Sequence, residues 1–313
     1  MRKIHYPTMS VRKRTTLAFT VFVLILAAAF GTLFDYSERQ NAREQTVHTD
    51  GLFAAHFIDV GQGDATLLVS PDGSSMLIDC GPTDSAAYLV KYLTDAGVDS
   101  LEYLILTHPH EDHYGGAENV IRNFPIEHFM ILEDFAETYP YDRLIYMVEN
   151  TDFETATAVE KVSRDDSFTF AGCAPFRILS PGSADFDDCN ESSLAVKLIY
   201  GNTAFLFTGD AEKASEREML AQGYNLHADV FQAGHHGSAT SNTETFVQAV
   251  SPTFAVISCA AGNSYGHPHP STLTAFAQNG VQVLRTDESG DIVVVSDGQT
   301  VWLPSQQKEA LAA

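Results

Sequence analysis

The apolar run Leu101 to Leu106 leads directly into Thr107-His108-Pro109-His110-Glu111-Asp112-His113, and Gly115-Gly116 follows. A run of that length reads as a buried strand, so the chain must adopt a fold that presents this loop from the end of a sheet. Three histidines and two acids stand within residues 108–113. Imidazole nitrogen suits zinc and similar divalent ions, and carboxylate oxygen adds the charge that holds a second hard or borderline cation. In extended chain, residues two apart share a side, which lets His108 and His110 grip one ion together. Asp112 and His113, where the backbone turns, then face a neighbouring ion. A polar loop of solvated histidines is the alternative, and it suits a lone surface His better than four potential ligands in six positions.

The pattern HxHxDH, here His108, His110, Asp112 and His113, is the signature of the metallo-β-lactamase superfamily. The surrounding stretches narrow the resemblance. They are His56-Phe57-Ile58-Asp59-Val60-Gly61-Gln62-Gly63-Asp64-Ala65, Leu77-Ile78-Asp79-Cys80-Gly81, Phe207-Thr208-Gly209-Asp210, Gly234-His235-His236-Gly237-Ser238 and Tyr265-Gly266-His267-Pro268. In this order they resemble the hydrolase domain of ComEC-type competence proteins, from residue 53 to about residue 303. The resemblance implies an α/β fold, the αββα sandwich of the metallo-β-lactamases.

Charge divides the chain unevenly. Residues 1–34 carry Arg2, Lys3, Arg12, Lys13 and Arg14 and no acid, which leaves 13 basic against 41 acidic residues beyond them in a chain of net charge −23. An acidic surface repels a polyanion, so the chain does not coat nucleic acid through a broad basic patch. The four cysteines form neither a disulfide framework nor a CxxC pair. Cys173 and Cys189 can bridge if the surroundings are oxidising, and buried thiols are the equal alternative.

Residues 1–15 read as a basic cytoplasmic segment. Thr16 to Phe34 carries no charge over 19 residues, long enough for a helix of roughly 20 residues to cross a bilayer core. Basic residues on its N-terminal side place the rest of the chain outside the cell. Ala27-Ala28-Ala29 resembles a cleavage region, so a removed signal peptide and a secreted product compete with an uncleaved single-pass anchor. The anchor is preferred because the run exceeds the ~7–15 residues of a signal core. Residues 35–50 are polar and aperiodic and read as a tether, 51–304 as the hydrolase domain, and 305–313 as a tail. The single apolar run differs from the several spans of a full ComEC channel, so transport by this chain alone is not expected.

Within the domain, Phe53–Val60 and Ala65–Ser70 read as strands around a glycine turn. The resemblance puts that turn near the metals, which makes Asp64 a substrate-lining candidate, whereas Asp59 stands inside the strand and pairs locally. Asp84 is expected to cap a helix to Ala96 that stops at Gly97, and Gly115–Asn123 to begin the next. Further strands are expected at 126–132, 160–162, 167–170, 176–179, 194–200, 204–207, 228–232, 254–258, 281–286, 292–295 and 301–303, with helices at 141–149, 211–222 and 271–278. Many relatives of the superfamily carry another histidine ligand before the strand at Leu194. Here Asn190 and Ser192 stand instead, so Asn190 is a candidate to line the site. Asp210 ends a strand and can bridge two cations, the role the resemblance assigns it, with capping of the following helix as the rival account. If the chain is extended at Gly234–Ser238, His235 and His236 point apart. His235 is taken as the ligand and His236 as facing substrate or orienting a ligand. His267 is a candidate last ligand or proton donor, and His269 a surface residue.

The expected activity is metal-dependent hydrolysis by two ions, zinc in the simplest case with manganese as the alternative. Asp112 or Asp210 would take the proton of the attacking water, and His267 or His236 would protonate the leaving oxygen. Resemblance to ComEC implies a phosphodiester of nucleic acid as substrate. The alternatives are a small envelope phosphoester or a lactam, and a non-enzymatic role in a DNA-uptake or envelope complex.

Overall fold

The computed structural model describes residues 51–133, 139–150, 159–172, 174–181 and 188–304. The expected basic segment, membrane span, tether and tail lie outside these residues, as does Cys173, one of the two cysteines for which a bridge and free thiols are equal alternatives. Among the described residues no helix is long and apolar enough to cross a membrane. Cys80 and Cys259 are buried free thiols, and Cys189 is a half-buried one.

The chain starts one sheet with β1 (Phe53–Phe57), β2 (Thr66–Val69), β3 (Ser75–Ile78), β4 (Leu101–Ile105), β5 (Ile126–Leu132) and β6 (Val159–Val162). It then builds a second from β7 (Ser167–Phe170), β8 (Ala174–Ser180), β9 (Ala195–Tyr200), β10 (Thr203–Phe207), β11 (Val230–Gln232), β12 (Phe254–Ile257) and β13 (Gln282–Arg285). It returns to the first with β14 (Ile292–Ser296) and β15 (Val301–Trp302). The orders are β15-β14-β1-β2-β3-β4-β5-β6 and β13-β12-β11-β10-β9-β8-β7. Strands β3 to β6 run parallel, and so do β10 to β13.

Side-chain alternation explains the layering. Met130 and Leu132 join a core between the sheets with Phe53, Phe57, Phe205 and Phe207, while Phe129 and Ile131 face outward onto Leu89, Leu93 and Ile121 of the covering helices. In the second sheet Leu206, Phe231 and Ala255 turn to the outer helices and pack with Phe246 and Phe276. Each such fully buried side chain contributes about 1.5–3 kcal/mol, and both faces of both sheets are filled this way. Three apolar layers are the αββα sandwich.

One local expectation is corrected, one rival account falls and one helix is new. Asp84 caps nothing: it sits inside a short 3-10 turn, Thr83–Ser85, ahead of helix Ala86–Asp95, and Glu111 Oε1 accepts the bond from Thr83 N at 2.8 Å. Asp210 lies outside helix Lys213–Ala221, whose N-cap position is Glu212. Helix Glu244–Val250 has no counterpart in the sequence reading. Its entry is set by a distant residue, because the buried Glu216 carboxylate accepts bonds from Thr243 N at 3.0 Å and Thr243 Oγ1 at 2.6 Å.

Candidate metal centre

Parallel strands leave their carboxyl ends at the same side of a sheet, and loops leaving those ends are where an α/β sheet presents ligands. Asp79 follows β3, His108 to His113 follow β4, Asp210 follows β10, His235 and His236 follow β11, and His267 follows β12. Asp64 joins them from the β1–β2 turn. That turn approaches closely because Gly63 has φ +150°, and a Cβ there would stand 2.4 Å from Asp112 O. Asp64 N donates to the same carbonyl at 3.1 Å.

Asp210 is buried at the middle of the cluster, and its two oxygens face different sets. Oδ1 is 3.2 Å from His113 Nε2 and 3.6 Å from His236 Nε2. Oδ2 is 3.7 Å from His108 Nε2 and 3.6 Å from His235 Nε2. Donor atoms of Asp64, His113, Asp210 and His236 all lie within 4.8 Å of one another, and so do those of His108, His110 and Asp210.

Both adjacent histidines approach Asp210, and only one of them lies in the buried set. His236, not His235, belongs to the buried set, and His235 stands at its edge with a side chain 21 % exposed. The extended geometry assumed from sequence is absent: both residues are left-handed, at φ 51° and 52°, in a tight turn. Asp64 is at the site, as expected, but not as a substrate-lining residue. It is 1 % exposed, too enclosed to line a substrate surface, and it sits among the converging donors. Asp112 stays at the mouth of the cluster, one-third exposed, with Oδ2 3.3 Å from His236 Nε2. Asn190 is nearly buried beside Glu212, and its Oδ1 has no hydrogen-bond partner. His267 is half-buried at the rim, its ring centroid 5.5 Å from that of His235. His269 Nδ1 accepts from Ala239 N at 3.0 Å.

Orienting partners went unassigned in the sequence reading. Asp79 Oδ2 takes His113 Nδ1 at 2.8 Å and Thr107 Oγ1 at 2.7 Å, and Asp79 Oδ1 takes Thr107 N at 2.8 Å. A carboxylate behind a histidine fixes its tautomer and turns its other nitrogen toward the site. Asp79 does this from a left-handed backbone, φ 59°, unusual for a residue with a Cβ. His236 Nδ1 donates to Ser258 O at 3.1 Å, and Glu212 Oε1 accepts from His235 Nδ1 at 3.0 Å. An acid directly after the β3 strand, parallel to the motif strand, was the available signal for Asp79. Nothing local marks Ser258 or Glu212.

The electrostatics are those of a site that expects positive charge. Burial pushes the His113 and His236 rings toward neutrality, yet Asp210, with Asp79 at the first and Asp64 at the second, outweighs it, leaving His113 raised and His236 at about 9. His108 goes the other way, lowered by burial and by His113. Burial raises Asp64, whereas at Asp210 and Asp112 the neighbouring histidines overcome burial and hold the carboxyls well below their usual range.

Five buried atoms here, Asp64 Oδ1 and Oδ2, His113 Nε2, Asp210 Oδ1 and His236 Nε2, have no hydrogen-bond partner. Buried polar atoms without partners are costly, and their convergence fits a divalent cation. The donors are nitrogen and oxygen without sulfur, which suits zinc, manganese or iron.

The metallo-beta-lactamase superfamily model matches residues 58–261, and the chain belongs to that superfamily. It is 34% identical over 252 residues to ComE operon protein 3 of Bacillus subtilis, covering 75% of this chain and 32% of that protein. It is 31% identical over 234 residues to competence protein ComA of Neisseria gonorrhoeae, covering 74% and 30%. The chain therefore spans about a third of the length of these relatives. The solved metallo-beta-lactamase fold protein YhfI from Bacillus subtilis superposes with a TM-score of 0.52 at 15% identity, over 78% of this chain and all of that one.

Proposed function

We propose that this chain is a metal-dependent hydrolase that cleaves phosphodiesters, a phosphodiesterase or nuclease, held at the outer face of the cell membrane by residues 16–34. The observation that carries the reading is the pair of donor sets meeting at the two oxygens of Asp210. The first ion would be held by His108, His110 and Asp210, with His235 beside it, and the second by Asp64, His113, Asp210 and His236. A divalent ion held there supplies positive charge that acidifies a water and offsets the charge developing on the attacked group.

Asp112 carries the open carboxylate at the mouth and accepts the proton of the attacking water. His267 is pushed down to about 4 by burial and by His236 and His235, so it meets the leaving oxygen as a neutral ring that donates an N–H hydrogen bond. His236, drawn into the donor set, does not share that task. The competence name of the Neisseria gonorrhoeae relative supports a nucleic-acid substrate, and the acidic chain favours short strands over long polymer. The charge-free stretch with basic residues before it supports the anchor.

Metal analysis of the purified protein, with assays on single-stranded DNA, a bis-phosphodiester and a chromogenic lactam in parallel, tests this. Bound metal and turnover on the two phosphodiesters are expected. Turnover on the lactam alone would replace the phosphodiester reading with the lactam alternative. No metal and no turnover on any of the three, with zinc or manganese added, would leave only a non-enzymatic role. Protease added to intact cells removes the domain if it lies outside.

A further inference from the structure

Three large hydrophobic side chains are exposed among the described residues, Tyr146, Ile199 and Tyr265. Tyr265 is 66% exposed and stands in the loop after β12, directly beside the metal cluster. Its ring lies 5.6 Å from that of His267 at an interplanar angle of 25°. His267 in turn lies 6.3 Å from His236 at 29°. Three rings thus step outward, near-parallel, from the buried donor set, and the outermost is largely exposed.

The loop that carries Tyr265 is held in shape. Asn263 Oδ1 accepts from Tyr265 N at 3.1 Å and from His267 N at 3.0 Å, and its Nδ2 donates to Ala260 O at 2.9 Å and His267 O at 2.6 Å. One side chain therefore uses both its acceptor and its donor groups on four backbone atoms of the loop. Ala260 N is anchored by Gln62 Oε1, from the turn that carries Asp64. An aromatic ring on a backbone stapled in this way loses little freedom when a flat partner settles on it.

We propose that Tyr265 is a stacking platform for the nucleobase next to the scissile phosphate, so that the substrate is single-stranded nucleic acid. The inference rests on the phosphodiester reading of the metal centre and adds which substrates it takes. Stacking is independent of base identity and of protein charge, since every base has a flat π-face. That matters for a chain of net charge −23, which has little basic surface with which to hold a phosphate backbone. In such a site the metal centre would bind the phosphate, and affinity for the remainder must come from an uncharged contact. A duplex hides its base faces and gains nothing from an exposed tyrosine, whereas an unpaired strand offers them.

The test uses the full-length protein and two oligonucleotides of equal length and charge, oligothymidylate and an abasic strand. Binding is measured by anisotropy and cleavage followed on gels. The wild type is expected to bind oligothymidylate about tenfold more tightly than the abasic strand. Tyr265→Ala should lose that preference and Tyr265→Trp keep it. Equal affinity of the wild type for both strands overturns the proposal, and so does a preference that survives in Tyr265→Ala. A wild type that prefers oligothymidylate through Tyr265 and yet cleaves neither strand overturns the phosphodiester reading while supporting the platform.

Discussion

On the Oδ1 side of Asp210, Asp64, His113 and His236 are all buried, and both histidines are tied from behind, one by Asp79 and the other by the Ser258 carbonyl. On the Oδ2 side His110 is half-buried and His235 is partly open to solvent. The orphaned donor atoms fall on the enclosed side. A charge in a dry, rigid site interacts more strongly with its ligands than one open to water. On the two-ion reading proposed above, the enclosed set should hold its ion the more tightly and the open set should exchange its ion the more readily.

The largest effect belongs to the residue both halves share. Asp210→Ala should remove both ions and lower turnover on the order of a thousandfold, seen by metal analysis together with steady-state kinetics. Retention of one full equivalent would show that the halves do not share this carboxylate. Next come the adjacent histidines. His236→Ala should weaken metal binding by more than the roughly 10–100-fold cost of losing an orienting partner, and His235→Ala by less. Competition with a chromogenic chelator ranks the two variants, and the reverse order would restore the assignment made from sequence.

Asp79→Asn keeps the size of the residue that orients His113 and removes its charge. A loss of roughly 10–100-fold in affinity is expected for the enclosed ion, with the open one nearly unchanged, measured by calorimetric titration. The smallest effect is in protons. His236, raised to about 9, carries one at neutral pH, as does the raised His113, whereas the lowered His108 does not. Loading the enclosed half should release protons and tighten as pH rises towards 9, and loading the open half should show less of either. Calorimetry in buffers of different ionisation heat reads this directly. In the metal-free protein the sign is opposite. The support His236 gives the fold is complete below its ordinary value near 6.5 and is lost as pH rises through about 9, so thermal stability should decline across that window unless metal is bound.

Much of this arrangement is legible in the chain before folding is considered. Leu101 to Leu106 followed by His108 to His113 marks a strand delivering ligands, because apolar continuity and donor density are both local properties. The strands at 126–132 and 167–170 fall where their composition puts them. What fails is whatever depends on backbone sign or on distant partners. The reading of His235 and His236 assumed extended chain, and two successive left-handed residues reverse it. Asp64 reads as a residue lining the substrate until Gly63 lets its turn close on Asp112 and bury it.

The sequence by itself determined the donor types, their attachment to strand ends and the superfamily, since these follow from composition and period along one stretch of chain. Only the tertiary structure decided which donors converge, because His113, Asp210, His236 and Asp64 come from four separate loops. Their grouping depends on two sheets packing so that those loops meet. It also decided that Asp79 stands behind His113 and that Tyr265 remains uncovered in front of His267. Burial and orientation are properties of the packed whole, and no local pattern carries them.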